Sequence, residues 1–476
     1  MTKIEIPEIL KKMNTIFAEN GFEVYLVGGA VRDMILGKKA SDWDLTTNAR
    51  PKDVIRMFRK VIPTGIAHGT VTVHFMKKEI EVTTYRCDGK YSDGRHPDEI
   101  QFTSKIEDDL SRRDFTINAI AASLNDGSIV DPFNGENDIK IKTIRTVGKA
   151  YDRFMEDGLR PIRAIRFSSQ LGFKIDSETL SAIENPDVQK KIASISIERF
   201  RDELSKILKS DTPSCGLKLL EKTGILKTFI PELAECRGCI QKDIRGYHDY
   251  DVLDHNFYAC DGAGKNNFTV RLAALFHDIG KKKARSTETR EYPEGSGKTE
   301  ELIHFHNHEA YSTEETAEIL TRLRFPKIQI ENVTHLIRHH MFFFEDNWTD
   351  AAVRRFIVRI RPEFIDDLFE LRKADIYGMH REKWNSESES AKSLASLKQR
   401  IMELESQKTA LSLKDLAVNG KDLISAGIPA GKKLGEILKN LFQQVLEDPG
   451  KNTKEKLLSA AKILNETYEK EPLKTR

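Results

Sequence analysis

Two neighbouring motifs limit what this chain can fold into more than any other feature: Leu26-Val-Gly-Gly-Ala-Val-Arg-Asp33 and, nine residues on, Asp42-Trp-Asp44. Val24-Tyr-Leu-Val27 reads as a buried strand. Gly28 and Gly29 let the backbone approach a ligand closely, and residues 30–37 continue as a helix whose first amides can hold phosphate. Positions i and i+2 of a strand share a face, so a strand through Asp42 and Asp44 points both carboxylates the same way, with Trp43 packed behind. Two such carboxylates repel one another unless divalent cations lie between them. Phosphate-cradling glycines beside a metal-binding Asp-x-Asp point to nucleotidyl transfer.

Three more segments extend this constellation. Thr70-Val-Thr-Val-His-Phe75 and Glu79-Ile-Glu-Val-Thr-Thr-Tyr85 alternate as strands do, with a turn expected at Lys78-Glu79. Glu81 would sit on the second strand, a third acid able to deprotonate or orient an attacking hydroxyl, or simply a solvent-facing glutamate. In Asp109-Leu-Ser-Arg-Arg-Asp-Phe-Thr-Ile-Asn118, the residues Arg112, Arg113, Asp114 and Asn118 can clamp a triphosphate. The alternative is that Asp114 only pairs with Arg112 or Arg113.

In Glu156-Asp-Gly-Leu-Arg-Pro-Ile-Arg-Ala-Ile-Arg166, Arg160, Arg163 and Arg166 recur on one helical stripe. Three arginines so placed repel unless an anion or several acids face them. Asp157 and Arg160 set an acceptor beside a donor fork. Cytosine and adenine share the complementary edge, an exocyclic amine next to a ring nitrogen, whereas uracil and guanine reverse it, so the pair can select C and A as a template base would.

These segments together resemble the class II tRNA nucleotidyltransferases and bacterial poly(A) polymerases of the DNA polymerase β superfamily. The resemblance runs through residues 27–44, 112–118, Asp131-Pro-Phe-Asn-Gly135 as a head–neck hinge, Glu156–Arg160 as the nucleotide template, and Ile195-Ser-Ile-Glu-Arg-Phe-Arg-Asp-Glu-Leu204 as a neck helix. It implies that Asp42 and Asp44 bind Mg²⁺, that Gly29 and Arg32 contact the nucleotide, and that Arg112 serves its phosphates. It also implies that Asp157 and Arg160 read the base, with Arg163 and Arg166 in support. One departure is Pro161, where the family has an aliphatic residue. A proline inside a helix costs about 3 kcal/mol, but a helix starting near Asp157 would place it in the first turn, where amides lack partners anyway.

A second constellation follows. His277-Asp-Ile-Gly-Lys281 ends the apolar run Val270–Phe276, and His255, His308, His339, His340 and Asp375 are available as further ligands. The series resembles the HD-domain phosphohydrolases. That resemblance implies His255, His277, Asp278 and Asp375 as basic ligands, with His308 and one of His339 or His340 (His340 is preferred) for a second metal. Such a site hydrolyses phosphoesters with metal-activated water; a degenerate HD fold kept as scaffold is the alternative.

The expected architecture is an α/β nucleotidyltransferase head of the polymerase β type (1–145), then an all-α neck (146–215), an HD-containing body (216–390) and a helical tail (391–476). After residue 146 strand signals nearly vanish, and Ser386–Ser390 marks a break. Ile428–Leu438 and Val445–Pro449 resemble the family's tRNA-binding tail, where Lys432, Lys433, Lys439 and Lys451 would contact phosphate. The turn-rich loop 86–97 is expected to be mobile, and in this family its presence accompanies complete CCA or terminal A addition. The net charge of +2 does not itself announce nucleic acid, although arginines and lysines cluster locally. Five scattered cysteines fit reduced thiols, including Cys236 and Cys239, and no apolar run nears membrane-spanning length. The opening residues lack an apolar signal core, so no secretory signal is expected.

The reading is therefore a cytoplasmic enzyme that adds CCA to tRNA 3′ ends from CTP and ATP with Mg²⁺, with a further divalent metal at the HD site and no membrane partner. The competing readings are an A-adding enzyme or poly(A) polymerase, and an HD phosphohydrolase with an RNA-binding head. A pure RNA-binding protein explains neither acidic cluster.

Overall fold

The structure, a computed structural model, describes residues 3–40, 42–88, 100–345, 347–382, 385–407 and 410–470. Most of the loop expected at 86–97, from residue 89 on, lies outside them. The chain forms two compact units, one of residues 1–240, 251–261 and 318–327, the other of 241–250, 262–317 and 328–476.

The first unit opens on an amphipathic helix, Glu8–Glu19, that buries Leu10, Met13 and Phe17. Its strands are β1 (Val24–Val27), β2 (Asp44–Thr47), β3 (Val61–Gly65), β4 (Thr70–Phe75), β5 (Lys78–Thr84), β6 (Arg86–Asp88), β7 (Ile100–Phe102), β8 (Ala121–Ser123) and β9 (Ile129–Val130). Seven of them make one mixed sheet in the order β3-β4-β5-β2-β1-β8-β9, while β6 and β7 pair separately. Within the large sheet β2 runs antiparallel to β1 and parallel to β5, which puts Asp44 beside Glu81.

Two sequence expectations need correction here. The β4–β5 turn falls at Met76-Lys77, not Lys78-Glu79. Phe75 pairs with Lys78, and the two residues between them take φ of 47° and 65°, the left-handed pair that a tight hairpin requires. Nor does the strand reach Asp42. Val27 pairs with Asp44, the chain beyond Val27 turns away at Gly28 (φ 71°), and Asp42 sits in the bend before β2.

The rest of this unit is mainly helical, with a short parallel pair of β10 (Thr143–Ile144) and β11 (Lys174–Ile175). The helix Leu159–Leu171 is buried over most of its surface and packs against Ile197–Leu208 and Pro213–Lys222. Gly216 permits this approach: a Cβ there would stand 2.7 Å from Ile207 Cγ2 and 2.9 Å from Ser169 Cβ.

In the second unit the helices Phe268–Phe276 and Ile365–His380 pack together. Strand structure returns as a hairpin of β12 (Arg285–Glu291) and β13 (Thr299–Phe305). The sequence hid it because every β12 residue is exposed, so the strand carries no apolar alternation. The C-terminal helices build their own core from Leu423, Ile437, Leu441, Val445 and Leu457. Arg354 fastens the helix Asp350–Ile360 to it by donating to the Leu446 carbonyl (2.7 Å, buried). Within the Ser386–Ser390 segment a helix begins at Glu389, capped by the Ser388 hydroxyl. Among the described residues, no helix is long and apolar enough to cross a membrane.

Gly216→Ala tests the close packing. Alanine is the better helix former by about 1 kcal/mol, but overpacking a closed contact costs about 1–3 kcal/mol. The expected result is a lower urea midpoint for the first unit; an unchanged or higher midpoint would contradict the packing.

Candidate active site

Gly28 and Gly29 join β1 to the helix Gly29–Ile35. A Cβ on Gly28 would lie 3.1 Å from Arg113 Nη1, and its φ of 71° further favours glycine. Arg32 is buried on this helix; it pairs with Asp33 (2.8 Å) and donates to Asn118 Oδ1 (2.7 Å). Asp42, Asp44 and Glu81 gather at the start of β2 and on β5, each still reaching solvent. Desolvation raises the Asp44 pKa; Arg113 opposes the rise and Asp42 adds to it. Desolvation, then Asp44, raises Glu81 as well. Clustered carboxylates that resist ionisation are what a cation would relieve.

Asp109 organises the arginines opposite. It lies fully buried in the short helix Ile106–Ser111, accepts from Arg112 Nε (3.0 Å) and Nη2 (2.8 Å), and pairs with Arg113 Nη2 (3.4 Å). Burial works to raise its pKa, but the two guanidiniums outweigh it and hold the carboxyl below the usual range. Positions i+3 and i+4 put both arginines on the face of Asp109. Asp114, beyond the helix end, therefore does not serve them. It binds Arg163 instead (2.6 Å) and accepts from the Asn118 amide (3.2 Å).

The stripe Arg160, Arg163, Arg166 is faced acid by acid. Glu156 pairs with Arg160, Asp114 with Arg163, and Glu203 with Arg166 (2.5 Å). Arg160 also donates to the Arg112 carbonyl (3.2 Å), tying the helix Leu159–Leu171 to the arginines that Asp109 holds. Arg166, Arg32 and Arg163 surround the Phe167 ring at 3.8, 5.3 and 5.4 Å from its centroid. Asp157 accepts from the Leu159 amide (2.9 Å) and pairs with Arg199 (2.8 Å). Gly158 caps the helix Leu159–Leu171, so Pro161 falls in the first turn, where a missing amide costs little.

Sequence reasoning missed Asp109, Arg199 and Glu203. The last two lie in Ile195–Leu204, which resembles a neck helix; a cation facing Asp157 and an anion facing Arg166 was the available signal.

The second unit holds another cluster. His277 Nδ1 lies 2.9 Å from the Ala274 carbonyl, His308 Nδ1 2.8 Å from that of Phe305, and His340 Nδ1 2.7 Å from that of Ile337. A carbonyl only accepts, so each Nδ1 carries a proton and each ring turns its Nε2 inward. His308 and His340 Nε2 face each other at 3.3 Å, and stand 3.1 and 3.7 Å from Asp278 Oδ1. His277 Nε2 lies 3.5 Å from Asp278 Oδ2 and 3.4 Å from Asp375 Oδ1. Lys281 binds Asp278 (2.6 Å), and Arg372 binds Asp375 (2.7 Å). Asp278, His308 and His340 bring one ligand atom each within 4.8 Å of the others. Imidazoles and carboxylates gathered this closely in a buried space suit a divalent cation.

Of the two histidines offered as alternatives, the structure brings in His340. His339 packs on His335 (4.8 Å between ring centres), with its pKa pushed down to about 4 by burial and then by His335 and nearby arginines. His255 is buried in the helix Val252–Gly262 of the first unit. None of the five cysteines forms a disulfide.

Lys432 and Lys439 are exposed and Lys433 half-buried on the helix Lys432–Glu447, about 24 Å long, and exposed Lys451 follows its far end.

A mixed sheet bearing an acidic edge opposite an arginine clamp defines a nucleotidyltransferase, a class that works with divalent metal. The sequence matches the Poly A polymerase head domain over residues 24–145, the "Probable RNA and SrmB- binding site of polymerase A" over 172–237, and tRNA nucleotidyltransferase domain 2 over 299–461. It is 31% identical to the CCA-adding enzyme of Levilactobacillus brevis over 95% of this chain and 97% of that one. With the CCA-adding enzyme of Oceanobacillus iheyensis the identity is 47%, over 55% of this chain and 69% of that one. Alignments to the Geobacillus relatives take in about half of each relative's length. The crystal structure of the Bacillus stearothermophilus CCA-adding enzyme in complex with CTP superimposes with a TM-score of 0.72 at 27% identity, covering 97% of this chain and 98% of that one. The chain belongs to the family of CCA-adding enzymes.

Asp114→Ala strands Arg163 and is expected to cost about 3 kcal/mol at pH 7, the low end for a buried pair because Arg163 keeps 33% of its side chain in water. Burial raises the Asp114 pKa, but Arg163 and Asn118 pull it below the model-peptide value. The pair's stabilisation is therefore complete above the unfolded pKa and is lost as pH falls through the lower folded one. Denaturation curves of the wild type and the variant should converge below about pH 4; a gap that widens in acid would contradict the assignment.

Proposed function

We propose that this chain adds CCA to tRNA 3′ ends without a nucleic-acid template, using CTP and ATP. The 3′-hydroxyl oxygen bonds to the α-phosphorus, the bond to the β-phosphate oxygen breaks, and pyrophosphate leaves. The observation that carries the reading is the fixing of Asp157 by Arg199 and of Arg160 by Glu156, which holds an acceptor and a donor fork on a rigid helix start beside the phosphate arginines.

Each residue then has a task. Gly28 and Gly29 let the triphosphate approach the backbone, while Arg32, Arg112 and Arg113 offer it the N–H groups their acids leave open. Asp157 and Arg160 meet the amine and ring nitrogen shared by cytosine and adenine, with Arg163 and Arg166 bracing their helix. Glu81 orients the attacking hydroxyl and can accept its proton, its raised pKa suiting that role. Asp42 and Asp44 fit a pair of Mg²⁺ ions, which would make the hydroxyl more acidic and neutralise charge on the phosphates. Lys432, Lys433, Lys439 and Lys451 would meet tRNA phosphates at separate points. We assign the regions head, neck, body and tail to 1–145, 146–215, 216–390 and 391–476, and place the enzyme in the cytoplasm, where its reduced cysteines fit.

The meeting of His308 and His340 Nε2 at Asp278 favours a second activity, hydrolysis of phosphoesters in the HD body. His277, Asp278, His308, His340 and Asp375, with His255 from the sequence resemblance, would hold the metal.

The decisive experiment offers purified protein tRNAs truncated before, within and after the CCA end, with each NTP separately. CTP and then ATP should be incorporated and UTP and GTP refused; failure to use CTP would sink the proposal in favour of an A-adding enzyme or poly(A) polymerase. Asp42→Ala with Asp44→Ala should reduce addition at least 10³-fold, on the order of what electrostatic stabilisation contributes. In contrast, His277→Ala or Asp278→Ala should leave it within about twofold. The reverse pattern would make the HD body the principal activity.

A further inference from the structure

The segment that leaves His340 runs straight into Phe342-Phe343-Phe344, and its side chains alternate. Phe342 stacks on Phe369 (5.8 Å, 19°) and Phe344 meets Trp348 edge-on (5.4 Å). Both rings are anchored, which turns Phe343 outward, 73% exposed. Tyr247, 61% exposed, lines the same cavity of about 450 Å³, a volume within the usual range for small-molecule sites. Its rim is polar: Ser390, Ser393 and Glu389 come from the start of the helix Glu389–Ser406. Arg372 also lines it while its Nη1 holds Asp375 at 2.7 Å.

Phe343 stands between two anchored rings and Tyr247 carries the Arg245 guanidinium over its ring (5.6 Å to the centroid), and two such exposed aromatic side chains are suited to stacking a planar ring. Hydroxyl and carboxylate groups at the rim match the hydrogen-bonding edge of a base. Arg372 connects this cavity to the Asp278 cluster, since the residue it holds, Asp375, lies 3.4 Å from His277 Nε2.

We propose that the cavity between Phe343 and Tyr247 seats the nucleobase of a nucleoside monophosphate ester, either free or at an RNA end, with the phosphate directed past Arg372 toward Asp278. The inference rests on the phosphohydrolase reading of that cluster. In the reaction so served, a water oxygen bonds to phosphorus, the ester P–O bond breaks, and the departing nucleoside oxygen takes a proton.

Two readouts on the full-length protein separate the pocket from the chemistry. The first is photolabelling with 8-azidoadenosine monophosphate, with the labelled peptides identified by mass spectrometry. Label is expected on residues 341–345 or on the peptide holding Tyr247. AMP should compete it away and inorganic phosphate should not, and Phe343→Ala with Tyr247→Ala should reduce it about tenfold or more. Phe343→Tyr, which keeps the aromatic face, should restore it. The second is hydrolysis of 3′-AMP and p-nitrophenyl phosphate with Mn²⁺ or Ni²⁺. The double variant should raise KM for 3′-AMP about tenfold and leave the base-free ester unchanged. Absence of label from both segments, or label indifferent to the variants, overturns the pocket even if p-nitrophenyl phosphate is hydrolysed. If neither ester is hydrolysed the phosphohydrolase reading fails, and the labelling alone decides the pocket.

Discussion

The head works because buried carboxylates hold guanidiniums where they would otherwise repel one another. Asp109, Asp114, Glu156 and Glu203 each fix one or two arginines, and they come from three separate stretches of chain. An unpaired charge in such a place costs several kcal/mol, so every element that carries one of these residues is constrained by the others. The Arg160 bond to the Arg112 carbonyl closes the circuit between the Asp109 arginines and the helix Leu159–Leu171. Under the proposed function a nucleotide would meet donors already aimed, and would lose little to reorganisation. The charges are nearly balanced beforehand, so an anion would be met by directed N–H groups more than by a bare positive field.

The Asp278 cluster uses the opposite arrangement. There the backbone fixes the chemistry: three histidines each donate Nδ1–H to the carbonyl three residues earlier, which points each Nε2 at a carboxylate. Lys281 and Arg372 offset part of the carboxylate charge from behind. The arginine network pairs cation with anion, whereas the imidazole cluster gathers the nitrogen and oxygen ligands that suit a metal ion.

Sequence pattern carried the head chemistry because local spacing dictates it. The glycine pair, the Asp-x-Asp and the arginine stripe lie within short segments whose strand and helix periods can be read directly. Pairings across the fold were less legible. That Asp114 would meet Arg163, 49 residues away, and not its neighbour Arg113, depends on where the short helix before it ends. Asp42 was misplaced for a similar reason: β2 begins only at Asp44, opposite Val27, the last residue of β1 before the chain turns at Gly28. The β12–β13 hairpin was invisible because its outer strand has no buried face. His340 could be separated from His339 only by the direction in which the end of one helix points its side chains.

That hairpin also explains how a long excursion can interrupt the HD cluster without disturbing it. The chain departs soon after Lys281 and returns three residues before His308, and Arg285 pairs with Phe305 where it closes. Leu302 and Ile303 are buried near this base. Asp243 accepts the Ile303 amide (3.0 Å), and Arg245 donates to its carbonyl (2.6 Å). Burial would raise the Asp243 pKa, but Arg245 and the Ile303 amide bring it down to about 2, so the anchor stays charged at any physiological pH. A hairpin whose two ends are paired and pinned transmits little of what happens at its tip. The geometry of Asp278 and His308 is thus set by the base, and the exposed strands beyond it are free to vary in sequence without cost to the cluster.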